Sequence, residues 1–78
     1  MNSLIINKSK NAIDVFFSDS KMTVLLEDGR ELSIPLEWFP RLRNASINQL
    51  NKWRLIGKGE GIHWDEIDED ILVDNLLE

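Results

Sequence analysis

A length of 78 residues, a net charge of −5 and the absence of cysteine allow one domain and exclude both a disulfide framework and a thiolate zinc centre. The 42% apolar content excludes a disordered chain, and the single His63 excludes a histidine-rich metal site. A chain this short buries only about 60% of its unfolded surface, so its three Trp and three Phe are the expected core anchors.

The chain is read as a single domain over residues 1–78. Residues 1–10 are polar around the short apolar run Leu4-Ile5-Ile6 and form either a frayed end or an edge strand. That run is shorter than the roughly 7–15-residue core of a signal peptide. No segment reaches the ~20 apolar residues of a membrane span. A cytoplasmic location is the expectation. Residues 12–18 are rich in β-formers and predict a strand. Ser18-Asp19-Ser20-Lys21 is a turn by composition, and residues 22–27 are the next strand. Asp28-Gly29 signals a hairpin, because Gly accepts the positive φ of a tight turn. Glu31-Leu32-Ser33-Ile34 alternates polar and apolar, so the third strand has one wet face. Pro35 ends it.

The period then changes. Ile47, Leu50 and Trp53 recur at three-residue steps, with Leu42 and Ala45 upstream, and predict one side of a helix. Asn44 or Ser46 is its N-cap. Lys52 and Arg54 fall near its end, where cations suit the dipole. Arg54-Leu55-Ile56 reads as a strand, residues 57–61 as a glycine-kinked connection, and Ile62-His63-Trp64 as a further strand. The acidic loop 65–70 follows. Ile71-Leu72-Val73 and Leu76-Leu77 predict a short C-terminal helix capped by Asp68 or Asp70. The expected fold is α+β: a small antiparallel sheet of three to four strands, one central helix and a short C-terminal helix.

The ordered set Asp28-Gly29-Arg30, Ile34-Pro35-Leu36 with Trp38-Phe39-Pro40-Arg41-Leu42, Gly59-Glu60-Gly61-Ile62-His63-Trp64, Asp68-Glu69-Asp70-Ile71 and Leu76-Leu77 resembles the bacterial "domain of unknown function 2442" family. No one motif is specific; the set is, and it covers nearly the whole chain from Ala12. The resemblance implies a compact α+β fold. Some members of that family are encoded beside small toxin-like proteins, which implies an antitoxin role. The family usually places a small polar residue after the Asp-Ile pair, where it caps the last helix. Leu72 stands there in this chain, which leaves the start of that helix open.

Catalytic chemistry finds little support. Cys is absent, and the serines sit in turn-like or cap-like positions without a nucleophile elbow. His63 alternates away from Ile62 and Trp64 and is expected to be solvated. Gly57-Lys58-Gly59-Glu60-Gly61 is followed by β-like residues and carries Glu60 where phosphate would sit, so it reads as a bent connection and not as a phosphate cradle. The acidic run lacks the alternating oxygens and central Gly of a calcium loop. No enzyme activity, cofactor or metal is expected.

Charge is divided along the chain. From Gly61 onward there are seven acidic side chains and no Lys or Arg, whereas Arg41, Arg43, Lys52, Arg54 and Lys58 stand together without an acid between Pro40 and Gly59. Such a split suits docking of a charged partner, and it also suits pairing within the chain. The leading expectation is a non-catalytic protein-interaction module, an antitoxin-like or regulatory partner of a small basic toxin-like protein, binding through Asp65, Glu66, Glu69 and Trp38. The alternative is a nucleic-acid-binding accessory protein using Arg41, Arg43, Lys52, Arg54 and Lys58, with Trp38 and Trp53 available for stacking.

Overall fold

Apolar side chains at every second residue need a common core, and the first half of the chain provides one. The computed structural model describes residues 8–77. The expectation of a frayed end or edge strand over residues 1–10 therefore falls mostly outside the described residues, and residues 8–10 are in neither helix nor strand. Strands β1 (Ala12–Phe17), β2 (Lys21–Leu26) and β3 (Glu31–Pro35) form an antiparallel sheet in that order. The rows Val15–Val24–Leu32 and Phe17–Met22–Ile34 share its inner face, as strand alternation requires. The register with β2 shifts between Ala12 and Asp14, and Ile13 at that irregularity is exposed. The Asp14 carboxylate accepts a hydrogen bond from the Val15 N–H at 2.8 Å. That satisfies locally a donor in an edge strand, where a free donor invites foreign strands. The Asp28-Gly29 hairpin forms as its sequence predicts, with Gly29 at φ 96°.

The middle of the chain departs from the single predicted helix. It folds as a 3-10 turn over Leu36–Trp38, then α1 (Pro40–Arg43) and α2 (Ile47–Leu50), each one turn long. Ser46 is extended and starts α2 with a reciprocal capping box: its hydroxyl accepts from the Gln49 N–H at 3.1 Å, and the Gln49 side-chain oxygen accepts from the Ser46 N–H at 3.0 Å. Of the two predicted N-caps, Ser46 takes the role. Trp53 is not a helical core residue. It opens strand β4 (Trp53–Ile56) and is half-buried.

Strands β4, β5 (Gly61–Trp64) and β6 (Glu69–Leu72) form a second antiparallel sheet in that order. The fold is thus α+β with two three-stranded sheets, where the sequence reading expected one sheet around one helix. Leu55, Ile62 and Ile71 lie in register on its inner face, as do Trp53 and Trp64 one step along. The predicted C-terminal helix is shorter than expected, because Ile71 and Leu72 belong to β6. Helix α3 covers only Val73–Leu76. Neither Asp68 nor Asp70 caps it. Asp68 sits at φ 57° in the connection before β6, Asp70 lies inside β6, and the N-cap position falls on Leu72, which offers no side-chain acceptor.

The sheets meet through Trp64, which is fully buried. Its ring meets Phe17 of the first sheet edge to face, with centroids 6.4 Å apart. Its indole N–H donates to the Leu50 carbonyl at 2.9 Å. A second link joins the backbones: the Ala12 N–H donates to the Gly59 carbonyl at 2.8 Å. Gly59 has φ 108°, and a Cβ there would collide with the backbone of Ala12. This close approach is the reason for glycine in the kinked connection.

Candidate functional site

Alternation along β4, β5 and β6 sends a second set of side chains to the outer face of the second sheet. Arg54, His63 and Asp70 lie directly opposite one another on three neighbouring strands. Asp65, two residues past His63, reaches back to the same row. His63 Nε2 is 2.6 Å from an Asp65 carboxylate oxygen, and His63 Nδ1 is hydrogen-bonded to the Asp70 carboxylate. The Arg54 guanidinium lies 3.4–3.5 Å from Asp65. His63 therefore faces outward as alternation predicts, but it is not simply solvated: its side chain is only 19% exposed and both ring nitrogens are engaged.

The electrostatics follow from these contacts. The hydrogen bond to Asp70 is the main influence raising the His63 pKa, and Asp65 adds to it; partial burial and the Arg54 charge oppose it. Asp65 is lowered, first by its bond to Arg54 and then by His63. The two carboxylates occupy opposite sides of the imidazole and do not converge on one point. No three His, Asp or Glu side chains among the described residues are grouped as metal ligands. With both ring nitrogens on carboxylates, His63 has no serine hydroxyl to activate.

The predicted partner residues fall in distinct settings. Asp65 and Glu66 are exposed but paired within the chain, Glu66 to Lys52 at 2.8 Å. Glu69 is half-buried in β6, in register with Trp64. Trp38 is 62% exposed on the 3-10 turn before α1. Arg41, in α1, donates to the Asp68 carbonyl at 2.8 Å and ties that helix to the acidic loop. The residues of the nucleic-acid alternative are largely committed elsewhere. Arg43 pairs with Glu37 at 2.6 Å, Lys52 with Glu66 and Arg54 with Asp65. Lys58, in the exposed connection after β4, makes no ion pair among the described residues. A depression on the described surface, lined by Lys10, Asn11, Glu60, Val73 and Asp74, holds about 100 Å³, well below the roughly 300–1,000 Å³ of small-molecule sites.

The row across the second sheet escaped the sequence reading. Its signal was the i, i+2 pair His63 and Asp65 on an alternating strand. The cross-strand partners Arg54 and Asp70 become neighbours only through the strand register.

The model of the family described as Protein of unknown function (DUF2442) matches residues 12–78. The chain belongs to this family. The motif set running from the Asp28-Gly29 turn to Leu76-Leu77 lies within the matched region. No helix among the described residues is long and apolar enough to cross a membrane. Among solved structures, the chain is similar to a crystallised protein of unknown function from Rhodospirillum rubrum ATCC 11170. The identity is 28%, the TM-score is 0.74, and the match covers 86% of this chain and 83% of that one. No curated protein matches the chain.

Proposed function

We propose that this family member is a non-catalytic protein-interaction module: a cytoplasmic, antitoxin-like or regulatory partner of a small basic protein. The observation that carries this reading is Trp38, 62% exposed on the turn just before α1, whose Arg41 is hydrogen-bonded to the acidic loop. Trp is among the side chains enriched at positions that dominate binding energy. In the acidic loop, Glu66 is held by an exposed ion pair with Lys52, and Asp65 by one with Arg54 in addition to its contact with His63. Such pairs contribute about 0–1 kcal/mol each, so a cation from a partner can replace Lys52 or Arg54 at little cost. The shallow depression and the carboxylate-bound His63 support a binding role over a catalytic one.

Pairing of Arg43, Lys52 and Arg54 with acids weighs against the rival nucleic-acid reading, for which Lys58 is the best remaining contact. Affinity capture from the native cell identifies the partner. Stopped-flow association then compares the parent with Trp38→Ala and with the triple variant Asp65→Asn, Glu66→Gln, Glu69→Gln. Trp38→Ala is expected to raise the dissociation rate. The triple variant is expected to slow association and flatten its salt dependence, because steering acts on encounter. An unchanged on-rate combined with tighter binding to a generic oligonucleotide would transfer the assignment to nucleic acid.

A further inference from the structure

We propose that His63 is a proton-operated latch on the acidic loop: protonated, it holds Asp65 and Asp70 together, and deprotonated, it releases Asp65 and leaves the surface row of Arg54, His63, Asp65 and Asp70 one unit more negative. The geometry requires a choice. A neutral imidazole has one N–H and cannot donate to both carboxylates, whereas imidazolium donates from both nitrogens. Both nitrogens meet carboxylates from different segments, Asp70 in β6 and Asp65 in the loop after β5. The charged groups facing the ring are Arg54 from β4, Asp70 from β6 and Asp65. With His63 protonated, two cations face two carboxylates and the row is neutral. When the proton leaves to solvent, the row carries one net negative charge.

Which carboxylate lets go is also set by the neighbours. Asp70 makes no other side-chain hydrogen bond among the described residues, so the remaining N–H stays on Nδ1. Asp65 then faces the bare lone pair of Nε2 and turns to Arg54, its other donor. The loop itself stays anchored by Lys52–Glu66 and by Arg41 on the Asp68 carbonyl. The change is therefore one of presented charge and local geometry, with the strands intact. The raised His63 pKa agrees with both contacts favouring the protonated ring. The consequence for binding rests on the interaction-module reading: a basic partner meets a more negative surface above the His63 midpoint.

His63 is the chain's one histidine, so its imidazole signals in a proton–carbon NMR titration of the full chain are unambiguous. The amide signals of residues 65–70 are expected to move with the same midpoint as the ring. Asp70→Asn and Asp65→Asn are each expected to lower that midpoint, Asp70→Asn more. Amides that stay fixed while the ring titrates, or a midpoint that neither variant moves, would overturn the latch. That result leaves the interaction reading standing. A second arm measures association with an oligolysine peptide at low salt. The on-rate is expected to rise through the midpoint in the parent and not in His63→Gln. A loop that moves in the NMR titration together with a flat on-rate retains the latch and removes the proposed role of the acidic loop in binding.

Discussion

The indole N–H of Trp64 donates to the carbonyl oxygen of Leu50 at 2.9 Å, inside a core where Trp64 has no exposed surface. One side chain thus packs β5 and also closes the orphan end of α2. Trp64→Phe keeps an aromatic ring but leaves the Leu50 carbonyl without its donor. It is expected to cost about 1–3 kcal/mol, read by urea denaturation. Trp64→Ala adds a cavity and is expected to cost about 3–5 kcal/mol, enough to unfold most of a marginal domain. The half-buried Trp53 is expected to lose less on the same truncation, and a larger loss at Trp53 would contradict the strand assignment.

Two glycines separate backbone strain from collision. Gly29 at φ 96° has open space where a Cβ would stand, whereas a Cβ on Gly59 would strike Ala12. Gly29→Ala is expected to cost about 1–3 kcal/mol, the usual penalty for a sparsely populated conformation. Gly59→Ala is expected to cost more, because it also forces apart the backbone link between the sheets. Equal melting temperatures for the two variants would count against that link.

Acid stability depends on Asp28. Its carboxylate accepts from the Arg30 side chain at 2.9 Å and from the Ser9 N–H at 3.0 Å. These bonds hold its pKa at about 2, against an ordinary 3.8, with the Arg30 bond as the main cause. A carboxylate lowered on folding stabilises above its unfolded pKa and loses that contribution as pH falls through the folded value. The parent is therefore expected to lose stability between about pH 4 and pH 2, and Asp28→Asn to flatten that part of the curve. Chemical denaturation at a series of pH values provides the check.

His63 gives the opposite slope. Its pKa is raised on folding, so its contribution is fully present below the unfolded value of 6.5 and fades as pH rises through the folded value. His63→Ala is expected to destabilise most at mildly acidic pH and least in alkali. A difference from the parent that does not vary with pH would mean that the ring's two carboxylate partners are not energetically coupled to it.

Local signals were legible and cross-strand ones were not. Asp28-Gly29 announced its hairpin, Ser46 its cap, and Ile62-His63-Trp64 its alternation, because each depends on residues within a few positions. Trp53 misled because a three-residue spacing from Ile47 and Leu50 fits a long helix as well as one helical turn followed by a strand. Its register partner Trp64 decides between them, and that partner is distant in sequence. Glu69-Asp70 reads as the end of an acidic loop and Ile71-Leu72 as the start of a helix until β5 supplies a ladder for all four. The candidate site failed to show for the same reason: Arg54, His63 and Asp70 are a row only once three strands are aligned.

The contact between Ala12 and Gly59 bears on the order of folding. Within each sheet, strands pair with their immediate successors, so both meanders close through short loops. Joining Ala12 to Gly59 closes most of the chain, and the ordering cost of closure grows with the length enclosed. Docking of the two meanders is then expected to be the late event, with the Ala12–Gly59 link absent from the transition state. Substitution at Gly59 should accelerate unfolding while leaving the refolding rate nearly unchanged, a pattern that a denaturant-dependent kinetic series would display directly.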